Sequence, residues 1–145
     1  MRLLIIGAVV AIVAAVAAIA IVPGWGQLGA PSSSTSDETF SERYQPYSGQ
    51  ALAAAGPDDS VVLFFSAVWC STCKVLRDDI AANQQSIPDG VRILLVDFDD
   101  STELKQQYGV VYQHTLVQVD RTGLGIARWE LSRSLDELLA TIVEV

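Results

Sequence analysis

The chain is poor in the side chains from which most catalytic and metal centres are built, with two cysteines, one histidine and one methionine in 145 residues. Two cysteines are too few for the disulfide scaffold of a small secreted module or for a zinc site of four thiolates, so the spacing of the pair decides its use. Basic side chains are also scarce, nine against 17 acidic, and the net charge of −8 is scattered along the chain. Phosphate binding needs a basic footprint that is missing here, which argues against a nucleic-acid partner. The length accommodates about one domain, leaving little room for a two-domain enzyme or a repeat array.

Apolar sequence is what the chain has in excess. Half of the residues are hydrophobic and the mean hydropathy is +0.34, high for a wholly soluble chain. Much of this lies in one run from Leu3 to Val22, twenty residues of Leu, Ile, Val, Ala and Gly7. At about 1.5 Å per residue the run matches the roughly 30 Å hydrocarbon core. Residues 1–22 are therefore expected to form one transmembrane anchor, or an uncleaved signal. A cleaved signal has a shorter apolar region, and Ala18-Ile19-Ala20 and Leu28-Gly29-Ala30 are weak cleavage triplets. Arg2 precedes the run and no basic residue follows it until Arg43, so the positive-inside rule keeps the N-terminus in the cytoplasm. The remainder is then extracytoplasmic, a single-pass protein of the cell membrane. Residues 23–44, with Pro23-Gly24 and Ser32-Ser33-Ser34-Thr35-Ser36, read as a flexible linker in which Trp25 could sit at headgroup depth.

Residues 45–145 carry the alternation of a folded domain. Ser48 caps a short helix reaching Ala55, and Gly56-Pro57 ends it. Val61–Ala67 reads as a buried strand, and the helix from Cys73 to Asn83 has Val75, Leu76 and Ile80 at helical spacing. A second strand spans Val91–Phe98, followed by a helix from Ser101 to Tyr108 with Glu103 in its first turn. Thr115–Val119 and Leu124–Leu131 form a hairpin around Asp120-Arg121-Thr122-Gly123, and Ser134 opens a last helix with Leu135, Leu138, Leu139 and Ile142 on one face. Strands separated by helices pair in parallel, and the hairpin adds an antiparallel edge. The expected fold is an α/β three-layer sandwich, a mixed sheet of four to five strands with helices on both faces.

The chemistry-bearing motif is Trp69-Cys70-Ser71-Thr72-Cys73, lying where the strongest strand meets a helix. Cys70 then sits at or just before the helix N-terminus, whose partial positive charge favours a thiolate. A spacing of three along the first turn brings both sulfurs within bonding range. Cys70 would attack a substrate disulfide and Cys73 would resolve the mixed disulfide.

From Phe64-Phe65-Ser66-Ala67-Val68-Trp69-Cys70-Ser71-Thr72-Cys73-Lys74, Val96-Asp97-Phe98-Asp99 with Leu104 and Tyr108-Gly109-Val110, and Thr115-Leu116, residues 47–145 resemble the thioredoxin family. The resemblance implies a thiol–disulfide oxidoreductase with Cys70 as exposed nucleophile, Cys73 as resolving thiol and Trp69 packed beside them. Its partners would be protein thiols and disulfides or a membrane redox carrier. The two sulfurs hold the electrons, so no organic cofactor is expected.

Several positions depart from the family pattern. Thr72 stands where thioredoxin-like reductases commonly carry proline, which leaves the redox potential and the direction of electron flow open. The family's buried acid corresponds to Phe64 and its lysine partner to Leu95. His114 occupies the place of the proline that precedes Thr-Leu in the family. A cis bond before a non-proline residue costs about 2.5–4 kcal/mol, so a trans Gln113–His114 peptide is expected. Near the sulfurs, His114 could favour the Cys70 thiolate as an imidazolium or take a proton from Cys73 as a neutral base. The alternative function is a metal-binding or metallochaperone module with Cys70, Cys73 and His114 as ligands, and a third is a redox-inert, partner-binding domain. Trp129 reads as a core aromatic, and Asp97, Asp99 and Asp100 as a solvated turn without chemistry.

Overall fold

The computed structural model describes residues 39–144. The anchor expected at residues 3–22, Trp25 and residues 23–38 of the linker lie outside the described residues. Among the described residues no helix is long and apolar enough to cross a membrane.

The elements follow the order β1 (Tyr44–Pro46), α1 (Gly49–Ala53), β2 (Ser60–Ser66), α2 (Ser71–Ala82), β3 (Val91–Asp97), α3 (Thr102–Tyr108), β4 (Thr115–Val119), β5 (Gly125–Glu130) and α4 (Leu135–Thr141). The sheet has five strands in the order β1-β3-β2-β4-β5. β3 runs parallel to both β1 and β2, whereas β4 is antiparallel to β2 and to β5. The mixed sheet expected from the strand–helix alternation is therefore present.

β2 is the centre of the molecule, and every one of its residues is buried. Its period-two alternation feeds two separate cores. Val62 and Phe64 point to one face with Cys73, Leu76 and Ile80 of α2 and Leu135 and Leu138 of α4. Val61, Leu63 and Phe65 point to the other, with Ala51 of α1, Val117 and Val119 of β4, and Leu104 and Tyr108 of α3 at its margin. A strand covered on both faces needs a continuous apolar run, which is what Val61–Phe65 supplies.

Serine oxygens cap two of the helices as the sequence suggests. Ser48 Oγ accepts from the Ala51 amide at 3.0 Å, and Ser134 Oγ from the Glu137 amide at 3.2 Å. Ser101 makes no such bond; Asp97 Oδ1 instead accepts from the amides of Asp99 and Asp100, turning the chain into α3.

Three expectations need revision. β1 has no counterpart in the sequence reading, and its Tyr44 falls inside the stretch read as linker, yet this tyrosine is wholly buried. Three residues on a sheet edge are too few to show any periodicity. The first helix ends at Ala53, short of Ala55. Val75 is 56% exposed, because Cys73, Leu76 and Ile80 form the inward stripe of α2 and rotate Val75 towards solvent.

Candidate active site

The cysteine pair occupies the junction of β2 and α2. Cys70 is the N-cap of α2 in an extended conformation, and its Sγ accepts from the Cys73 amide at 3.1 Å. A sulfur thus takes the place of the usual oxygen cap and meets one of the orphan amides of the first turn. Cys70 and Cys73 are joined in a disulfide, with Cα atoms 5.2 Å apart. Cys73 is wholly buried, and Cys70 retains 5% exposure. The resemblance implies an exposed Cys70; the structure corrects this to a buried residue whose sulfur is engaged both in the disulfide and in the cap of α2.

Trp69 precedes the pair and is 60% exposed, its indole Nε1 donating to Asp99 Oδ2 at 2.9 Å. The acidic turn after β3, which the sequence leaves without a role, therefore orients the tryptophan beside the cysteines. Arg77, one turn along α2, donates to Ser66 Oγ at 2.5 Å and to the Ala67 carbonyl at 3.2 Å, tying the helix to the end of β2.

His114 approaches from the loop before β4 and is buried. Among the described residues no peptide bond is cis, so Gln113–His114 is trans. His114 has φ of 60°, in the left-handed region, where histidine is among the tolerated non-glycine residues. Its amide donates to the Phe65 carbonyl at 2.7 Å, a bond no proline could make. The ring stacks obliquely on Phe64, with centroids 5.4 Å apart. Phe64 pairs in register with Leu95 on β3, so the place where the family carries an acid and a lysine is apolar here.

The ring nitrogens are both engaged. Nε2 lies 2.8 Å from the Ser132 carbonyl, and Nδ1 lies 3.0 Å from Thr72 Oγ1. A carbonyl only accepts, so Nε2 carries the proton and, in the neutral ring, Nδ1 accepts from the Thr72 hydroxyl. Burial holds the imidazole below its ordinary pKa, and the bond to Ser132 partly opposes this. Thr72 Oγ1 is also 3.3 Å from Cys70 Sγ. The segment after β5 is fixed in turn, because Trp129 Nε1 donates to Ser132 Oγ at 3.1 Å. Trp129 packs against the same core as the cysteines, as expected of a core aromatic.

The structure thus brings together Trp69, Cys70, Cys73 and His114. Thr72 and Ser132 were not among the candidate residues. Thr72 stood inside the motif as a departure from proline; nothing in the sequence points to Ser132, which acts through its backbone carbonyl. The two sulfurs and a ring nitrogen of His114 lie within 4.8 Å of one another. As a ligand set they do not fit a metal in this state, because the sulfurs are bonded to each other and both ring nitrogens are hydrogen-bonded.

The family model for thioredoxin matches residues 44–144. The chain belongs to the thioredoxin family. Thioredoxin of Bacillus subtilis is 29% identical over 68 residues, which are 47% of this chain and 65% of that protein, so the chain spans slightly less than two thirds of that relative's length. The Trxlp structure from Edwardsiella tarda is 27% identical, with a TM-score of 0.52, covering 68% of this chain and 99% of that one. Malassezia sympodialis thioredoxin is 26% identical with a TM-score of 0.54, covering 68% and 88% respectively. Membership of the thioredoxin family together with the paired cysteines supports thiol–disulfide oxidoreductase activity.

Proposed function

We propose that this chain is a membrane-tethered thiol–disulfide oxidoreductase that exchanges disulfides with protein substrates, or with a membrane redox carrier, through Cys70 and Cys73. The observation that carries the reading is the disulfide at the N-terminus of α2, in which Cys70 retains 5% exposure and Cys73 none. Cys70 is the nucleophile: its thiolate bonds to one sulfur of the substrate disulfide and the other sulfur leaves. Cys73 then bonds to Cys70 Sγ, the mixed disulfide breaks, and the second substrate thiol departs. The electrons reside in the two sulfurs, so no cofactor or metal is needed. Trp69 flanks the pair, and His114 closes the site from the opposite loop.

A protein substrate is supported by the apolar side chains left exposed near these residues in the chain. Val68, Trp69 and Val75 flank the cysteines, and Val111, Tyr112 and Leu131 flank His114 or the strand end beside it. Exposed apolar side chains close in sequence to the cysteines and His114 suit an unfolded or extended polypeptide carrying a disulfide. Tethering rests on the Leu3–Val22 run and Arg2, which favour a cytoplasmic N-terminus and an extracytoplasmic domain.

The full chain in detergent should reduce a model protein disulfide such as that of insulin, or oxidise a model protein dithiol, and Cys70→Ala should bring the rate to background. Retention of the rate by Cys70→Ala would refute the exchange reading. Stoichiometric metal in the reduced chain, lost in His114→Ala, would favour the metal-binding alternative. A reporter fused after Val145 that is active only in the cytoplasm would refute the topology. The reduction potential sets the direction, a low value meaning reduction of substrates and a high one disulfide donation.

A further inference from the structure

We propose that Thr72 and His114 form a hydroxyl-bridged proton relay to Cys70, occupying the functional place that the apolar Phe64–Leu95 pair has vacated. The inference deepens the exchange reading above and rests on it. The contacts form one line: the Ser132 carbonyl, His114 Nε2 at 2.8 Å, then Nδ1 to Thr72 Oγ1 at 3.0 Å, and Oγ1 to Cys70 Sγ at 3.3 Å.

The hydroxyl can serve both neighbours because it owns one proton and two lone pairs. In the disulfide state Cys70 Sγ has no proton and is a weak acceptor, so the hydroxyl donates to Nδ1. In the reduced state the polarity reverses. The Cys70 thiol proton passes to Thr72 Oγ1 while the Thr72 proton passes to Nδ1, leaving a thiolate that accepts from the hydroxyl and an imidazolium that donates from both nitrogens. Nε2 stays protonated throughout, because its only partner is a carbonyl.

The balance over one turnover is complete. The Cys70 thiolate forms a bond to a substrate sulfur as the substrate disulfide breaks and releases a thiolate. Cys73 gives up its proton and bonds to Cys70 Sγ, and the second substrate thiolate leaves from that position. The proton held on Nδ1 returns through Thr72 to this departing sulfur, and the Cys73 proton ends on the first. Two thiol protons and two electrons pass from the pair to the substrate, which is reduced as the pair is oxidised. Run backwards, the same relay serves disulfide donation.

The surroundings suit this use. The imidazole is faced by Phe64 from β2, by Cys70, Thr72, Cys73 and Val75 from α2, and by Leu131, Ser132 and Arg133 from the segment after β5. Thr72, Val75, Leu131 and Arg133 line with it a cavity of about 310 Å³. Arg133 is the charged group in that lining, and burial of the ring disfavours an imidazolium unless a thiolate lies beside it. Proton uptake by the ring is thereby coupled to ionisation of the sulfur. Thr72 touches the reacting atom, whereas His114 acts through it.

The test is the pH dependence of Cys70 alkylation by iodoacetamide in the reduced full chain, alongside insulin reduction. Thr72→Val, which keeps the shape and removes the hydroxyl, is expected to slow alkylation at pH 7 about tenfold and to move its midpoint up by about one pH unit. Thr72→Ser should restore the wild-type profile within about twofold. His114→Asn, chosen because asparagine tolerates the left-handed backbone, should match Thr72→Val. The double variant should be no slower than either single one, since both break the same line, whereas independent effects would multiply to about a hundredfold. A wild-type profile in Thr72→Val, or a multiplicative double variant, overturns the relay while insulin reduction by the wild type leaves the exchange reading standing. Absence of exchange by the wild type overturns both.

Discussion

Replacing His114 by proline would restore the residue that the family carries before Thr-Leu, and the structure expects it to do harm. Proline fixes φ near about −65°, whereas His114 sits at 60°, so the loop must rebuild. The substitution removes the amide that donates to the Phe65 carbonyl at 2.7 Å and the ring nitrogen that donates to the Ser132 carbonyl at 2.8 Å. Each buried carbonyl left without a donor costs about 1–3 kcal/mol. Release of the left-handed backbone returns about 1–2 kcal/mol. At the middle of these ranges, about 4 kcal/mol is lost and about 1.5 returned, a net loss of about 2.5 kcal/mol or roughly 10–20 °C in Tm for a domain of this size. Thermal unfolding of the oxidised full chain, followed by tryptophan fluorescence, measures it. His114→Asn, which keeps the amide and the backbone, should lose only the contribution of the Ser132 bond, about 1–3 kcal/mol. A proline variant as stable as the wild type would refute the view that this loop is built around a histidine amide.

Cys73→Ser should leave Cys70 able to attack but unable to be released, so that a mixed disulfide with insulin accumulates on non-reducing gels; its absence would mean that Cys73 is not the resolving thiol. Phe64→Ala removes a wholly buried ring from the core beneath His114, and denaturant unfolding should show a loss of about 3–5 kcal/mol. Asp59 accepts from Arg92 at 2.7 Å and from the Gly56 amide at 2.8 Å, with Arg92 the larger cause holding its carboxyl below the usual range. A depressed carboxylate pKa stabilises the fold above the unfolded-state value and loses that contribution as pH falls through the folded-state one. Asp59→Asn should therefore cost about 1 kcal/mol at pH 7, solvent screening limiting the figure, and the deficit against wild type should shrink below about pH 4.

The elements with strong periodicity were legible in the chain. Val61–Phe65 is apolar on every residue because both faces of β2 are covered, and the hairpin around Asp120–Gly123 has its turn residues in place. The cysteine pair was legible for the same reason, since three residues of spacing at a strand–helix junction bring the sulfurs together whatever the rest of the fold does. What escaped lies in long-range contact or in very short pieces. β1 is three residues long and is held by pairing with β3, a partner some fifty positions away. Thr72 meets His114 across 42 residues, and Ser132 meets it across 18 through a carbonyl common to every residue type. Val75 looked like core because one-dimensional spacing does not reveal which stripe of α2 turns inward.

Cys70 Sγ, the reacting atom of the proposed exchange, also terminates the hydrogen-bond ladder of α2 through the Cys73 amide. Anything bonded to that sulfur competes with the backbone for its electron density. Anionic sulfur is the stronger acceptor, so the first turn of the helix is held most firmly in the thiolate form and most weakly when an alkyl group or a foreign chain is attached. Each catalytic intermediate then carries its own degree of fraying at one end of the helix, and amide hydrogen exchange at Cys73 becomes a local gauge of what the neighbouring sulfur is bonded to.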